Sequence, residues 1–370
     1  MFDEPQLQNI LSLPCPSCGS KIGYSAEKHK LSCTHCGYAE ELVLASDKVV
    51  EQSLHEAMQR VSEWQPEAAG KQAMHCVSCG ATTIVEANAP IVNCTFCSSK
   101  NVNIEAFDKN LIQPIGIIPF LIAAATAESK FKEWIGQGWF HPSALSKAAA
   151  LGEINGVYVP FWTYDAHTNT NYQGEAGFYY YVSVPYTDSE GRQQVRQVQH
   201  TRWEWRSGSF AHFFDDVLVV ASKGIPQERM DEIAPFKLTS VINFDPRLLL
   251  NWRAEVYGIE VNEGYQIADR IMDSQLYNMS AARIGGDTYR NLDIDVKKAQ
   301  QTFKHILLPV WLCAYTFNNK VYQFAINGQT GKVSGEKPYS WIKIAFAVIL
   351  GLIVLAGLAY FYNITEAKRH

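Results

Sequence analysis

The sequence predicts a multidomain chain: two N-terminal four-cysteine modules, a larger α+β domain with a largely antiparallel sheet, and one apolar C-terminal helix. Three observations carry this reading. Eight of the nine cysteines fall into two matched quartets within the first hundred residues. From Asn110 to Lys337 the pattern changes to strand-like runs around a helical block. Ile344 to Tyr362 is then a run of nineteen residues without a formal charge. The boundaries that follow are residues 1–45 and 71–108 for the cysteine modules, with a spacer helix at 46–70 between them. The body is 109–340, the apolar helix 341–363 and a short tail 364–370. At 370 residues the chain is long enough for several modules, and its net charge of −5 argues against a globally basic nucleic-acid binder.

The quartets are Cys15, Cys18, Cys33 and Cys36, then Cys76, Cys79, Cys94 and Cys97. Each reads C-x2-C, fourteen residues, C-x2-C, and the second repeats the first at an offset of 61. Gly19 and Gly80 hold the same place after their second cysteines. A two-residue gap lets the backbone turn two thiolates toward one ion, and two such knuckles supply the four sulfurs of a tetrahedral zinc site. Lys21 to Leu31 and Ala81 to Val92 are long enough for short hairpins, so each module is expected to be a zinc ribbon holding one structural Zn2+. Iron in a four-sulfur site is the chemical alternative, although the inter-knuckle segment is short for a rubredoxin-type domain. A thioredoxin-like redox pair would need one C-x2-C in an α/β context. Met1 to Ile10 carries acids and no apolar run, so no signal peptide is expected and disulfides are disfavoured. His35 and His75 lie beside complete quartets and read as surface residues, and Cys313, beside the apolar run Leu307–Leu312, reads as core.

The two modules are formally neutral without metal. Lys21, Lys28 and Lys30 face Glu27, Glu40 and Glu41 in the first, and Lys71 and Lys100 face Glu86 and Glu105 in the second. Neither carries the basic stripe that phosphate contacts require. Nucleic-acid binding is therefore the weaker use of these ribbons, and protein docking the stronger.

Asp47 to Gln65 is expected to be a helix, with Val50, Leu54, Ala57, Val61 and Trp64 on one stripe. His55-Glu56 resembles the opening of an H-E-x-x-H metalloprotease helix, but Gln59 stands where the second histidine belongs. Helices are also expected at Leu121–Trp134, Gln227–Ile233, Asp245–Trp252 and Glu263–Met279. Strands are expected at Val157–His167, Phe178–Val184, Gln194–Arg206, Asp216–Ala221, Asp287–Val296, His305–Phe317 and Lys320–Ile326, the last two joined by a turn at Asn318-Asn319. Tyr158 to Trp162 and Leu307 to Trp311 echo one another as x-Pro-apolar-Trp, with proline expected at a strand start or sheet edge.

The polar residues best suited to catalysis are Asp165 with His167, His200, Glu204, and His212 with Asp215 and Asp216. None forms a recognisable nucleophile–base–orienter motif. Gly328 to Val333 has two residues between its glycines where a Walker loop has four, and Val333 replaces the magnesium-binding hydroxyl, so it reads as a turn. Arg283 to Asp287 reads as a helix-to-strand turn. No enzyme activity is expected.

Ile344 to Tyr362 spans about 28 Å as a helix, close to the hydrocarbon thickness of a bilayer. Trp341 and Lys343 flank one end, and Tyr360, Tyr362, Lys368 and Arg369 the other, as interfacial anchors do. The mean hydropathy of −0.13 averages this transmembrane helix with a polar body. Lys332, Lys337 and Lys343 before the span balance Lys368 and Arg369 after it, so charge bias does not set the orientation. Reduced thiolates place the body in the cytosol, giving a single-pass, tail-anchored topology.

The paired quartets, Gly156 to Trp162 with Tyr164 and Asp165, and Val321 to Gly335, followed by the terminal span, resemble a bacterial family of membrane-anchored, TFIIB-type zinc-ribbon proteins. Members of that family are often labelled primosomal N-prime-like helicases, but a Walker loop and a DEAD-type box are missing here. The resemblance implies residence at the bacterial inner membrane and recruitment of SPFH-domain or phage-shock-type envelope proteins. The expected function is a membrane-anchored cytosolic adaptor whose ribbons dock protein partners. A membrane-tethered nucleic-acid binder and a membrane-associated hydrolase are the alternatives.

Overall fold

A computed structural model describes residues 13–42, 49–62, 71–85, 94, 96, 99–107, 112–143, 145, 150–151, 154–250, 252–318 and 320–367. The first module contributes β1 (Leu13–Pro14), β2 (Lys21–Ser25), β3 (Lys30–Ser32) and β4 (Ala39–Glu40), and the spacer β5 (Gln52–Ser53) and α1 (Leu54–Ser62). The second module contributes β6 (Lys71–Cys76), β7 (Thr82–Val85) and β8 (Val102–Phe107). The body opens with β9 (Gly116–Ile117), α2 (Ala124–Ile135), β10 (Ala150–Leu151), β11 (Asn155–Thr187) and β12 (Gln193–Val220). It continues with α3 (Gln227–Ile233), β13 (Ile242–Asn243), β14 (Arg253–Val256), α4 (Val261–Ile284), β15 (Thr288–Phe317), β16 (Lys320–Asn327) and β17 (Val333–Gly335), before the terminal α5 (Trp341–Ala367).

Three strands organise the body. β11 runs 33 residues, roughly 110 Å of extended chain, between antiparallel neighbours β12 and β15. The pairs expected at 157–167 and 178–184 are one strand, as are 194–206 with 216–221 and 287–296 with 305–317. Their joins were hidden because the fully buried positions on the inward face of the middle stretch are Thr168, Thr170, Gly174 and Ala176, none large and apolar, with a half-buried Tyr172 between them. Small residues are needed there because α4 lies across this face, burying Gly264, Ala268, Met272, Leu276 and Ser280 against it. A Cβ on Gly264 would sit 2.4 Å from the Tyr164 hydroxyl oxygen and 2.7 Å from Trp162 Cδ1. α4 also starts earlier than expected, through reciprocal capping by Glu260 and Glu263, and runs to Gly285. Beyond Gly177, where β15 begins, the β11–β12 hairpin continues alone to a turn in which Asp188 Oδ1 accepts the Glu190 and Arg192 amides.

The echoed segments pair with each other: Val159 lies opposite Leu308, Tyr158 opposite Pro309 and Pro160 opposite Leu307. Neither proline starts a strand. Each sits where one neighbouring strand gives way to another: β14 pairs with β11 at Val157–Tyr158, and β12 takes over from Phe161. Likewise β9 pairs with β15 at Ile306–Leu307, and β16 takes over from Val310. A missing N–H is tolerated at such a handover for the reason it is tolerated at an edge.

Both cysteine modules are fastened to this body. The first forms its own antiparallel sheet, β1-β2-β3-β4, and the Tyr24 amide donates to the Leu250 carbonyl (3.1 Å) while Trp252 Nε1 donates to the Tyr24 carbonyl (2.9 Å). At that docking site the helix expected over Asp245–Trp252 is replaced by a short 3-10 turn, Pro246–Leu249, which precedes β14. The second module joins the main sheet outright, since β7 pairs with β14 through Thr83 opposite Glu255. The spacer helix begins at Leu54 because Gln52 and Ser53 pair with β15 first, which leaves Val50 outside the helix and 77% exposed. Asp47, Lys48 and the stretch 63–65 of the expected helix lie outside the described residues.

The body is thus α+β with a largely antiparallel sheet; β11–β14 and β9–β15 are parallel. α5 is one helix long and apolar enough to cross a membrane, and no residue in the apolar window of Trp341–Tyr360 is buried inside the protein.

Candidate metal centres and a charged clamp

Three knuckles share one backbone design. In each, the amide of the residue after the second cysteine donates to the first cysteine's carbonyl: Gly19 to Cys15 (2.9 Å), Gly37 to Cys33 (3.0 Å) and Gly80 to Cys76 (2.8 Å). All three glycines take φ between 76° and 79°, a left-handed conformation that side chains disfavour. Gly37 completes the C-x2-C-G pattern that Gly19 and Gly80 already showed in the sequence.

The four thiols of the first module converge, with Cys15 and Cys36 sulfurs 3.6 Å apart and Cys18 and Cys33 sulfurs 3.7 Å apart. Cys79 and Cys94 approach to 3.7 Å in the second, where Cys76 completes the described cluster; Cys97 lies outside the described residues. These gaps are far from the roughly 2.05 Å of a disulfide. They fit four thiolates about 2.3 Å from one central ion, whose sulfurs would lie about 3.8 Å apart. The Ser20 amide and hydroxyl pull the Cys18 thiol down to about 6, which favours the ligating thiolate. Cys79 is pushed upward by the neighbouring Cys94 sulfur and by burial, a crowding that a bound dication relieves. His35 is exposed, and His75 Nδ1 lies 3.1 Å from the Thr82 hydroxyl.

The two centres differ in setting. In the first, Cys15 and Cys33 are buried and Cys18 and Cys36 exposed; in the second, Cys76 and Cys94 are likewise buried and Cys79 is half-buried, and its β7 is paired into the main sheet. Beside the second centre, Glu255 is buried; its Oε1 accepts from the Ser222 hydroxyl (2.7 Å) and its Oε2 has no protein partner. Burial pushes this carboxyl up to about 8, opposed by the Ser222 hydrogen bond and helped by charge at Cys94. The folded state therefore keeps a proton that the unfolded chain sheds near its ordinary value, so stability falls as pH rises toward 8. Glu255→Gln is expected to keep the Ser222 contact and add about 3 kcal/mol at pH 7. Denaturant unfolding of the metal-loaded protein at pH 5 and pH 7 checks this; an unchanged pH slope would count against it.

The catalytic candidates do not assemble as a set. Asp165 is buried at a kink crossing all three long strands: the β11–β12 register shifts between Tyr164 and Ala166, and the β11–β15 register between Asp165 and His167. Asp216 and Gln300 take positive φ at this level. Asp165 Oδ1 accepts the Asp216 amide (2.5 Å) and its Oδ2 accepts the Thr302 hydroxyl (3.1 Å). Lys304 Nζ lies 2.7 Å from Asp216 Oδ1, 3.0 Å from Glu51 Oε1 and 3.6 Å from Asp165 Oδ2. Burial raises the Asp165 carboxyl to about 6 against the pull of the Asp216 amide and Lys304. Burial alone would lower the Lys304 ammonium, but the carboxylates of Asp216 and Asp165 raise it. Asp165, Asp215 and Asp216 bring carboxylate oxygens within 4.8 Å of one another. Lys304 already supplies a cation there, and the cluster clamps the spacer to the kinked sheet through Glu51. Lys304 and Glu51 were missed in the sequence; the signal was a lysine and an aspartate inside otherwise apolar strand cores.

Of the other candidates, His212 stays with Asp215 and Asp216 as expected, while His167, His200 and Glu204 lie apart from them. His167 is exposed against the Phe213 ring (4.5 Å), His200 stacks on Tyr180 (5.5 Å), and Glu204 pairs with Arg202 (2.8 Å). His212, Asp215 and Asp216 line an open cavity of about 570 Å³ shared with Gln227, Asp231 and Gln275, with no serine, threonine or cysteine among its described lining residues. Gln59 Nε2 lies 3.0 Å from His55 Nε2. Gly328 to Val333 is a turn in which Asn327 Oδ1 accepts the Gln329 and Thr330 amides. Cys313 is core.

No family model matches the chain, and no solved structure matches it. It is 28% identical over 353 residues to a protein of Bacillus subtilis (strain 168) described as uncharacterized protein YdjG, a similarity spanning 94% of this chain and 96% of that protein. The likeness thus extends over nearly the whole of both chains and is not confined to the cysteine motifs.

Proposed function

We propose that this protein is a non-enzymatic adaptor, anchored by α5 in the bacterial inner membrane with its body in the cytosol, and that both cysteine centres hold Zn2+. The observation that carries the adaptor reading is the unequal setting of the two centres. The second is built into the sheet, while the first presents Cys18 and Cys36 to solvent on a module pinned by Tyr24 to the body. A rigidly mounted ribbon with two exposed thiols is a docking element, and the ribbon paired into the main sheet holds the body together. Eight thiols in two matched quartets fit a reducing compartment. By the resemblance stated above, the partners are SPFH-domain or phage-shock-type envelope proteins. The test is recovery of those proteins from solubilised membranes on the intact chain and on Cys36→Ser. Loss with the variant, while the body's unfolding transition is retained, supports docking by the first ribbon; equal recovery from both removes that role.

A further inference from the structure

The loop that follows α2 sits against the start of α5, some two hundred residues later in the chain. The Phe140 carbonyl accepts the Ser340 amide (2.7 Å), and the His141 carbonyl accepts Lys343 Nζ (2.9 Å). His141 Nδ1 donates to the Pro338 carbonyl (2.8 Å) while its ring lies over Tyr339 at 5.4 Å. Lys337 reaches back to the Gln137 carbonyl (3.1 Å) and over the Trp134 ring (4.1 Å). The turn that makes this possible is Gly138, at φ +99°, where a Cβ would lie 2.5 Å from His141 Cδ2. None of these straps uses the Trp139 or Phe140 side chain, and both stay exposed.

Those two side chains are 56% and 44% exposed and meet edge to face at 5.2 Å. Tyr339, Trp341 and Ile342 are exposed beside them. An aromatic pair so placed would be costly in water, and its depth is fixed by its partners. The hydrogen bond to Ser340 puts Phe140 level with a residue four positions before Ile344, about 6 Å along the helix axis. The interfacial layer of each leaflet is about 5–8 Å thick, so the pair lies at headgroup depth when α5 spans. Tryptophan and other aromatic rings favour that layer.

We propose that the Gly138–His141 loop is a second membrane contact, seating Trp139 and Phe140 in the headgroup–acyl boundary of the leaflet that α5 enters. The proposal rests on the reading of α5 as a membrane span. Two contacts instead of one fix the height and tilt of the body over the bilayer, where one flexible stalk would leave both free.

The full chain reconstituted into phosphatidylcholine vesicles with brominated acyl chains tests this through quenching of tryptophan emission. Trp139→Phe, Trp341→Phe and Trp203→Phe are conservative changes, the last on the body's long sheet. The quenched share of emission is expected to fall by about half in Trp139→Phe and comparably in Trp341→Phe, and to be undiminished in Trp203→Phe. A fall in Trp341→Phe alone overturns the loop contact and leaves the span standing. Absence of quenching in the unmodified chain overturns the span, and the loop contact with it.

Discussion

Cys76→Ser is expected to abolish cooperative folding of the body, not merely of the second module. Cys76, Ala81, Cys94 and Phe96 are buried in one cluster with Val157, Val159, Phe161, Val220, Ile225 and Leu308, so the second cysteine cluster and the main sheet share a core. The approach is close at the backbone too: a Cβ on Gly224 would lie 2.6 Å from the Ala81 Cβ. Structural zinc contributes about 10–16 kcal/mol in small zinc-finger peptides, as much as the whole stability of a typical domain. Losing a ligand also leaves buried, crowded thiols without the cation that compensates them. The measurement is thermal unfolding followed by near-ultraviolet dichroism, with metal analysis of the same sample. Cys15→Ser is the comparison, since the first module has its own sheet and touches the body through one face. It is expected to lose one metal and retain a cooperative transition, lowered because Ile22, Tyr24 and Leu31 pack into the body. A Cys76→Ser protein melting within a few degrees of the parent would remove the structural role given to the second centre.

The contrast shows what a sequence of this kind discloses. The cysteine spacing is legible because ligation chemistry imposes it locally: two thiols must reach one ion across a single turn, and the glycine after them must take positive φ. The apolar helix is legible for a similar reason, since nineteen residues must each tolerate the same solvent. The long sheet is less legible. Its buried positions between Ala166 and Phe178 are filled by Thr168, Thr170, Gly174, Ala176 and Gly177, because α4 needs space there, and a run of small and polar residues reads as a loop between strands. The prolines misled in the same way, since a strand that changes neighbours midway has a local edge that no single-strand pattern reveals. The unequal attachment of the two cysteine modules is least legible of all. Their cysteine spacings match, and what separates them is whether β7 finds β14 as a partner, a contact between residues some 170 positions apart. The aromatic pair at Trp139-Phe140 passes unnoticed for the same reason, because it gains meaning only when the loop is set beside Ser340.

Lys304→Met is expected to destabilise the protein by about 3–5 kcal/mol, the cost of leaving a buried ionic partner uncompensated. The Lys304 side chain is 11% exposed and Asp165 is buried, so little water reaches the contact between them. Methionine preserves the aliphatic stem and removes only the charge, which isolates the electrostatic term from packing. Without the ammonium, Glu51, Asp165 and Asp216 face one another across the Thr302 hydroxyl, and the most buried of them gains most by taking a proton. Asp165 already holds its proton up to about 6, above its value in the unfolded chain. Removing the cation raises it further, so the folded state of the variant binds a proton the unfolded chain has lost, and its stability falls as pH rises through that window. The deficit relative to the parent is therefore expected to shrink at pH 5 and to be largest at pH 8. Asp165→Asn added to Lys304→Met is expected to recover part of the loss at pH 8, because the amide can still accept the Asp216 N–H while carrying no charge. Denaturant unfolding of the parent, the single variant and the double variant at both pH values provides the comparison. A deficit under 1 kcal/mol, or one of equal size at pH 5 and pH 8, would show that the clamp contributes no more than an exposed ion pair.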